Sequence, residues 1–240
     1  MQRSRAIFQR AVFLLTAALF FNGCRDVVFN NPLDPDASRT NLTIRRVFST
    51  LLSGPGDICF DGEKIWKAGA GGSIGAFDTE SGTTIRSFVL TPVTGIAFLD
   101  RRLYLCDEEN QIHVFDPLSG VLITRISTSR IYPRLLAARD NDLLLFDSRS
   151  ESIFSLNPES GEITRQFQLS GLATGGMEFF EGSLLIADAA SDTLYRFAPD
   201  GTVIDVFRSP LTGLTGVCKD DRGYVYLMGL DGQVAKVTLP

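Results

Sequence analysis

The sequence has few of the side chains that most often carry chemistry. Its 240 residues include one His, one Trp, three Met and four Cys. A single His excludes metal sites built from several histidines, and any Ser–His–acid triad would need that same residue, His113. Basic residues do not dominate either: 23 Lys and Arg stand against 28 Asp and Glu, so no electrostatic case for nucleic-acid binding exists. A convincing helical period is missing from residue 41 onward.

The one long apolar run lies at the start of the chain. Arg3, Arg5 and Arg10 precede the uncharged segment 11–21. Eleven residues rise only about 16 Å as a helix, whereas the hydrocarbon layer of a bilayer is about 30 Å thick. The run therefore predicts a secretory signal rather than a membrane anchor.

Cys24 follows this segment, directly after Gly23, and the ending "FNGC" resembles the lipobox of bacterial lipoproteins. Phe21 and Asn22 stand where that box usually has Leu and a small residue. The resemblance implies a signal peptide over 1–23 and lipidation of Cys24 by palmitate-type acyl chains. The alternative is a simple secretory signal with an incidental cysteine. Residues 24–40, with two prolines and no apolar period, predict a tether.

Removal of 1–23 takes away three arginines and no acids, which leaves 20 basic and 28 acidic residues and a net charge of −8. Such a body is not drawn to an anionic bilayer, so membrane contact would depend on the N-terminal lipid alone. The resemblance to lipoproteins implies the cell envelope. Arg25 lacks the acidic character that in some bacteria signals retention in the inner membrane, so we expect the outer membrane, on its periplasmic or surface side.

From residue 41 to 240, one pattern of about 40 residues returns five times. Turns such as "FDTESG", "FDPLSG" and "LNPESG" recur, and the apolar residues that open or precede them are Phe77, Phe115, Leu156, Phe197 and Val237, spaced by 38, 41, 41 and 40. Each unit contains four alternating segments, which we name strands a to d. The pattern predicts an all-β, five-bladed propeller of four-stranded blades.

The fifth unit ends at "QVAKVTLP" without a d strand, while "NLTIRRVFST" at 41–50 has the d pattern and no partners before it. We therefore expect the N-terminal strand to complete the last blade and close the ring. Its Leu42, Ile44, Val47 and Phe48 are predicted to pack in the core.

The unit "GIAFLDRRLYLCDEENQIHVFDPLSG" resembles NHL-type propeller repeats, and the "DxxSG" hairpins resemble quinoprotein-like repeats. Within those families the fold serves binders, scaffolds and enzymes. The lipid-anchored layout also resembles the propeller lipoproteins of the outer-membrane barrel-assembly machinery, which have more blades. The resemblance thus implies an architecture rather than an activity.

In a propeller, the b–c turns and the d–a loops share one face, which we call the upper face; the a–b and c–d turns form the lower face. We predict a ligand-binding surface on the upper face. Its b–c turns would supply Asp107, Glu109, Asp147, Arg149, Asp188 and Asp192, and the loop between blades 2 and 3 would supply Arg130, Tyr132 and Arg134. Tyr and Arg are enriched at binding hot spots. The alternative is a solvated loop surface, in which Asp107, Asp147 and Asp188 only cap their turns.

Three further features indicate structural rather than catalytic or metal-binding roles. Alignment of the repeats predicts an inner-strand column of Cys59, Ala97, Leu136, Glu178 and Cys218, which contains one acid. Calcium-dependent lactonases of similar shape gather several acids there. Cys59 and Cys218 would be neighbours after closure, as buried thiols or as a disulfide, and His113 falls in a column of mostly apolar residues.

The preferred hypothesis is a binding or assembly scaffold for an envelope protein, peptide or glycan, with no cofactor and no catalytic residue. The alternative is a metal-supported lyase or lactonase of NHL-like type that uses calcium in the channel.

Overall fold

The computed structural model describes residues 40–52, 54–69, 71–89, 92–128 and 130–240. The expected signal peptide, Cys24 and the tether up to residue 39 lie outside the described residues. Within the described ranges the secondary structure consists of strands, and none of these residues forms a helix. The described part of the chain accordingly offers no helix of the length and apolar character that a membrane span requires.

The predicted five-bladed propeller is confirmed: the strands form five antiparallel sheets, each running from an inner strand a to an outer strand d. The inner strands a, in chain order, are β3 (Gly56–Phe60), β7 (Val93–Leu99), β11 (Pro133–Arg139), β15 (Thr174–Phe180) and β19 (Leu214–Lys219). The b strands are β4 (Ile65–Gly69), β8 (Arg102–Asp107), β12 (Asp142–Asp147), β16 (Ser183–Asp188) and β20 (Val225–Gly229).

The outer halves of the blades follow the same order. The c strands are β5 (Ser73–Phe77), β9 (Gln111–Phe115), β13 (Ser152–Leu156), β17 (Thr193–Phe197) and β21 (Gln233–Thr238). The d strands of blades 1 to 4 are β6 (Thr84–Val89), β10 (Leu122–Ser127), β14 (Ile163–Gln168) and β18 (Val203–Arg208).

The ring closes through the N-terminal strand β2 (Thr43–Ser49), as predicted. β2 pairs antiparallel with β21, and Phe48 lies opposite Val234. Before it, the two-residue strand β1 (Thr40–Asn41) pairs in parallel with β18, at the outer edge of blade 4. The chain therefore attaches to blade 4 first and then crosses to blade 5, an arrangement that the repeat pattern alone did not indicate.

The core is divided among the gaps between blades, because both faces of every inner sheet are covered by a neighbouring blade. Adjacent inner strands contact one another all the way round, including β19 with β3. Each gap holds one cluster of buried apolar side chains; the cluster between blades 1 and 2, for example, contains Trp66, Ile74 and Leu103. The five apolar residues that defined the repeat, from Phe77 to Val237, are all buried.

Turn chemistry explains the regular spacing. Asp78 opens the c–d turn of blade 1, and its Oδ1 accepts hydrogen bonds from the backbone N–H groups of Glu80 and Ser81 at 3.0 and 2.7 Å. Gly82 ends that turn at φ +71°, a conformation that favours glycine. The predicted structural role of these turn residues is therefore confirmed.

Candidate functional site

The three upper-face aspartates are turn caps. Asp147 accepts hydrogen bonds on Oδ1 from the N–H groups of Tyr132 and Arg149 at 3.0 and 3.1 Å, and on Oδ2 from the Ser150 hydroxyl at 2.6 Å. Asp188 repeats this pattern in blade 4 with Ala173, Ala190 and Ser191. Asp107 accepts from Glu109 N and Gln111 N, both at 2.9 Å. All three carboxylates are buried, so they stabilise their turns and are not exposed to a ligand on the upper face.

His113 is packed into blade 2. Its Nε2 lies 2.6 Å from Asp107 Oδ2, and Arg125 Nε donates to its Nδ1 at 3.4 Å. Because Nδ1 accepts that bond, the proton of the neutral ring is on Nε2 and is donated to Asp107. The ring also stacks on Phe115 with centroids 6.3 Å apart. The interpretation of His113 as a packed strand residue is confirmed.

Tyr132 and Arg149 come together across two loops of the upper face. The Arg149 guanidinium carbon lies 3.4 Å from the centroid of the half-buried Tyr132 ring. The Tyr132 carbonyl accepts from Ser148 N at 3.1 Å, which ties the d–a loop before blade 3 to the b–c turn of that blade. The pair is thus held on two turns that brace each other.

Two further arginines flank the pair. Arg130 is exposed two residues before Tyr132, and exposed Arg134 lies two residues after it, at the start of the inner strand β11. Arg134 also lines a cavity of about 190 Å³ at the upper mouth of the central channel, together with Thr94 and Asp57. Three exposed guanidinium groups and one tyrosine therefore occupy the upper side of blade 3.

The remaining predicted site residues lie elsewhere on this face. Glu109 is exposed on the b–c turn of blade 2. Asp192 lies on the b–c turn of blade 4 with φ +51°. It accepts a short hydrogen bond from Gly213 N, in the d–a loop between blades 4 and 5. Among the described residues, no hydrogen bond or ion pair joins Glu109 or Asp192 to the Tyr132–Arg149 pair.

Asp57, which the sequence analysis did not single out, lies at the neck of the channel. Its carboxylate accepts from Ile58 N at 2.9 Å and from Ile96 N at 3.4 Å, and Val217 N donates to it as well. These donors belong to blades 1, 2 and 5, so one side chain joins three blades. Burial raises the pKa of Asp57 well above its ordinary 3.8, despite the lowering effect of these N–H groups.

Close backbone approach leaves little room for further side chains beside Asp57. Gly95 and Gly216 stand in the neighbouring inner strands. A Cβ on Gly95 would lie 2.7 Å from the Arg134 carbonyl oxygen, and one on Gly216 would lie 3.0 Å from the Gly56 carbonyl oxygen. In the sequence, Asp57 stands at a position where the inner strands of blades 2 and 5 have Gly95 and Gly216, and this difference was the signal that could have pointed to it.

Below the neck, the channel widens into a funnel of about 290 Å³ on the lower face. Glu178, Lys219, Cys59 and Asp221 line it. Burial raises the pKa of Glu178 from 4.5 to about 8, although the nearby Lys219 charge acts in the opposite direction. Among the described residues, no three His, Cys, Asp or Glu side chains are grouped so that they could hold a metal ion.

The inner-strand column needs one correction. Trp66 pairs with Cys59, and in the same column Leu144 of blade 3 pairs with Ala137. Leu136, which the sequence alignment placed in this column, pairs with Leu145 and faces the opposite gap. The inner strand of blade 3 has no glycine to mark its register. Pro133 pairs with Asp147 as Val93 pairs with Asp107 in blade 2, so the equivalent position in blade 3 comes one residue later in the chain than the alignment predicts.

The cysteines of the propeller are thiols. Cys59, Cys106 and Cys218 are free and buried, which confirms the preferred interpretation over a Cys59–Cys218 disulfide. Burial raises the pKa of Cys106 to about 12 and moves those of Cys59 and Cys218 in the same direction. Thiols held so far from ionisation are poor nucleophiles.

No protein-family model matches the chain, and no curated protein matches it. Solved structures do. A glutaminyl cyclase of Myxococcus xanthus superposes with a TM-score of 0.71 at 16% identity and covers 83% of this chain and 97% of its own. The β-propeller domain of Cps50 (Swd1) from Myceliophteria thermophila gives 0.56 at 9% identity, with 83% and 100% covered. BamB from Moraxella catarrhalis gives only 0.44 at 17% identity, with 76% and 58% covered. At these identities the similarity establishes the propeller fold and nothing finer.

Proposed function

We propose that this protein is a lipid-anchored binding or assembly scaffold of the cell envelope that captures a protein or peptide on the upper side of blade 3. The propeller fold fits both scaffolds and enzymes, so the choice depends on the site rather than on the fold. The anchor is supported by the signal-like N-terminus and Cys24.

The observation that carries the proposal is the Tyr132–Arg149 pair with Arg130 and Arg134 beside it. A ring covered by a guanidinium at 3.4 Å presents a flat, pre-ordered surface that loses little side-chain entropy on binding. Tyr and Arg are the residues that dominate binding energy at interfaces. Tyr132 and Arg149 also lie on two loops that the hydrogen bond from Ser148 N to the Tyr132 carbonyl joins.

Charge indicates the chemistry of the partner. The chain has an excess of acids, yet the loops at the upper side of blade 3 carry three exposed arginines, Arg130, Arg134 and Arg149, against one exposed acid, Glu151. Guanidinium groups bind carboxylates through two parallel hydrogen bonds. We therefore expect an acidic segment of an envelope protein or peptide as the partner, in preference to a glycan at this surface.

The test compares two matched pairs of substitutions in the native lipidated protein. Tyr132→Ala with Arg149→Ala removes the upper pair. Tyr224→Ala with Arg222→Ala is the control on the lower face, where Lys236 Nζ lies 4.4 Å from the half-buried Tyr224 ring. Partner capture from the envelope is measured for both, along with the melting temperature.

Loss of a hot spot costs about 2 kcal/mol or more, so capture should weaken about thirtyfold or more for the upper pair and little for the control. Equal losses from both pairs would reduce the result to a general effect on stability. Loss from the control alone would move the working surface to the lower face.

The second candidate is an enzyme of the metal-supported lyase or lactonase class, and Glu178 in the funnel favours it. A carboxyl with a pKa of about 8 can give or take a proton near neutral pH. If this candidate is right, added calcium raises the melting temperature of the wild type, and Glu178→Gln abolishes that rise. A melting temperature independent of calcium excludes a calcium site at Glu178.

A further inference from the structure

A cavity of about 670 Å³ lies between blades 3 and 4 on the lower face, away from the surface proposed above. Small-molecule sites have volumes of about 300–1,000 Å³, so this groove is large enough for one. Two further cavities on the lower face measure about 290 and 300 Å³.

The groove exists because blade 3 departs from the repeat. At one position of the b strand, blades 1, 2 and 5 place Trp66, Tyr104 and Tyr226, which are buried and fill the following gap. Blade 3 has Leu144 at this position, and its partner on the c strand is Ser155. Leu144 and Ser155 thus stand where blades 1, 2 and 5 have a large aromatic ring.

Blade 4 also has a leucine at that position, Leu185, yet its gap is filled. Its c-strand partner is Arg196, whose guanidinium carbon lies 5.6 Å from the Phe180 ring centroid. In blade 3 the equivalent residues are Ser155 and Arg139. Blade 3 therefore lacks both the Phe180 ring and the long Arg196 side chain that blade 4 places in the gap after it.

A prearranged polar network covers one wall of the groove. Asp142 accepts from Ser155 Oγ at 2.9 Å and from Asn157 Nδ2 at 3.1 Å, and Arg139 donates one N–H to Ser155 Oγ at 3.0 Å. A guanidinium has five donors, so most of those on Arg139 remain available to a ligand. Exposed Gln166 adds a further amide at the rim.

Two half-buried phenylalanines, Phe167 and Phe179, complete the lining. Arg139 lies 4.0 Å from Asp142 and offsets its charge, and Asp140 beside them leaves these three groups with one net negative charge. An anionic ligand would thus be disfavoured here. Planar hydrogen-bonding side chains next to aromatic faces suit a ligand with many hydroxyl groups and apolar C–H faces.

We propose that the groove between blades 3 and 4 binds a short neutral oligosaccharide. The planar polar groups Arg139, Asp142 and Gln166 hydrogen-bond its hydroxyls, and Phe167 and Phe179 contact its ring faces. This site is independent of the Tyr132–Arg149 surface and does not require that surface to function.

The test uses maltotriose, cellotriose and tri-N-acetylchitotriose as probes, with trigalacturonate as the anionic comparison. Binding at millimolar concentration is measured by saturation-transfer NMR and calorimetry. Leu144→Tyr restores the ring that blades 2 and 5 carry and should fill the groove. Leu118→Tyr is the matched control, because Leu118 is 77% exposed on a c–d turn of the same face.

At least one neutral trisaccharide should bind the wild type and the Leu118→Tyr protein, and Leu144→Tyr should weaken that binding tenfold or more. Should Leu144→Tyr fail to fold, Gln166→Ala gives a second test: it leaves the core intact and should cost about three- to tenfold in affinity for one lost hydrogen bond. Absence of binding by all three neutral probes overturns the proposal. So does preference for trigalacturonate, or affinity that Leu144→Tyr and Gln166→Ala leave unchanged.

Discussion

Deletion of residues 42–50, which contain the closing strand β2, should destabilise the propeller severely. Leu42 and Thr50 are buried, and Phe48 packs edge-on against Phe77 of blade 1 with ring centroids 6.2 Å apart. Full burial of an apolar side chain of this size contributes about 1.5–3 kcal/mol, so buried Leu42 and half-buried Phe48 together contribute about 2–5 kcal/mol. Net stability of a domain is about 5–15 kcal/mol, and the deletion also leaves β21 as an unpaired edge.

Thermal unfolding followed by circular dichroism, with size-exclusion chromatography, measures the effect on the chain without its lipid. Ile44 and Val47 were expected in the core, and that expectation is wrong: they are 52% and 46% exposed, because on this outer strand their side chains point to solvent. Ile44→Ser with Val47→Ser is therefore the matched control and should cost less than Phe48→Ala, which should cost up to about 3 kcal/mol because Phe48 is half-buried. A truncated chain that stays monomeric with an unchanged melting temperature would refute the closure argument.

Three further outcomes can be measured on the same protein. Between pH 4.5 and about 8, Glu178 keeps a proton in the folded state that the unfolded chain has lost. The free energy of unfolding should therefore fall as pH rises through that window, by up to about 1.4 kcal/mol per pH unit. Glu178→Gln should flatten this fall, and identical pH profiles for the two proteins would contradict the raised pKa. Cys24→Ser should abolish lipid labelling and release the protein from membranes, and continued labelling would refute the anchor. Cys59, Cys106 and Cys218 should react with a thiol reagent only after unfolding, whereas fast labelling of the native protein would contradict their burial.

The propeller itself could be predicted because the same turn-forming residues recur in successive units of about 40 residues. The hydrogen bonds of Asp78 to its own turn are local, and the same geometry returns wherever Asp or Asn opens a c–d turn. The missing d strand of the fifth unit then indicated closure by β2. These inferences need only interactions between residues close in sequence and the rule that exposed edge strands tend to be paired.

The sites could not be predicted in the same way, since they depend on which strands become neighbours. Asp57 gains its donors Ile96 and Val217 from two other blades, and no spacing within blade 1 reveals them. The register of blade 3 failed for a related reason. Without a glycine to anchor the alignment, Leu136 and Ala137 exchange faces on a shift of one residue.

The departures from the repeat are therefore the informative positions. Where blades 1, 2 and 5 keep a buried ring, as at Trp66 and Tyr104, the side chain fills its gap and has a structural explanation. Leu144 breaks that rule and opens a groove, although a ring at the same place would bury more apolar surface. Leu185 of blade 4 is also a leucine, but Arg196 and Phe180 occupy the gap beside it, whereas the proposed ligand would occupy the gap beside Leu144. The same logic separates the capping aspartates, which recur in blades 2, 3 and 4, from the Tyr132–Arg149 pair, which the structure shows only on blade 3 among the described residues.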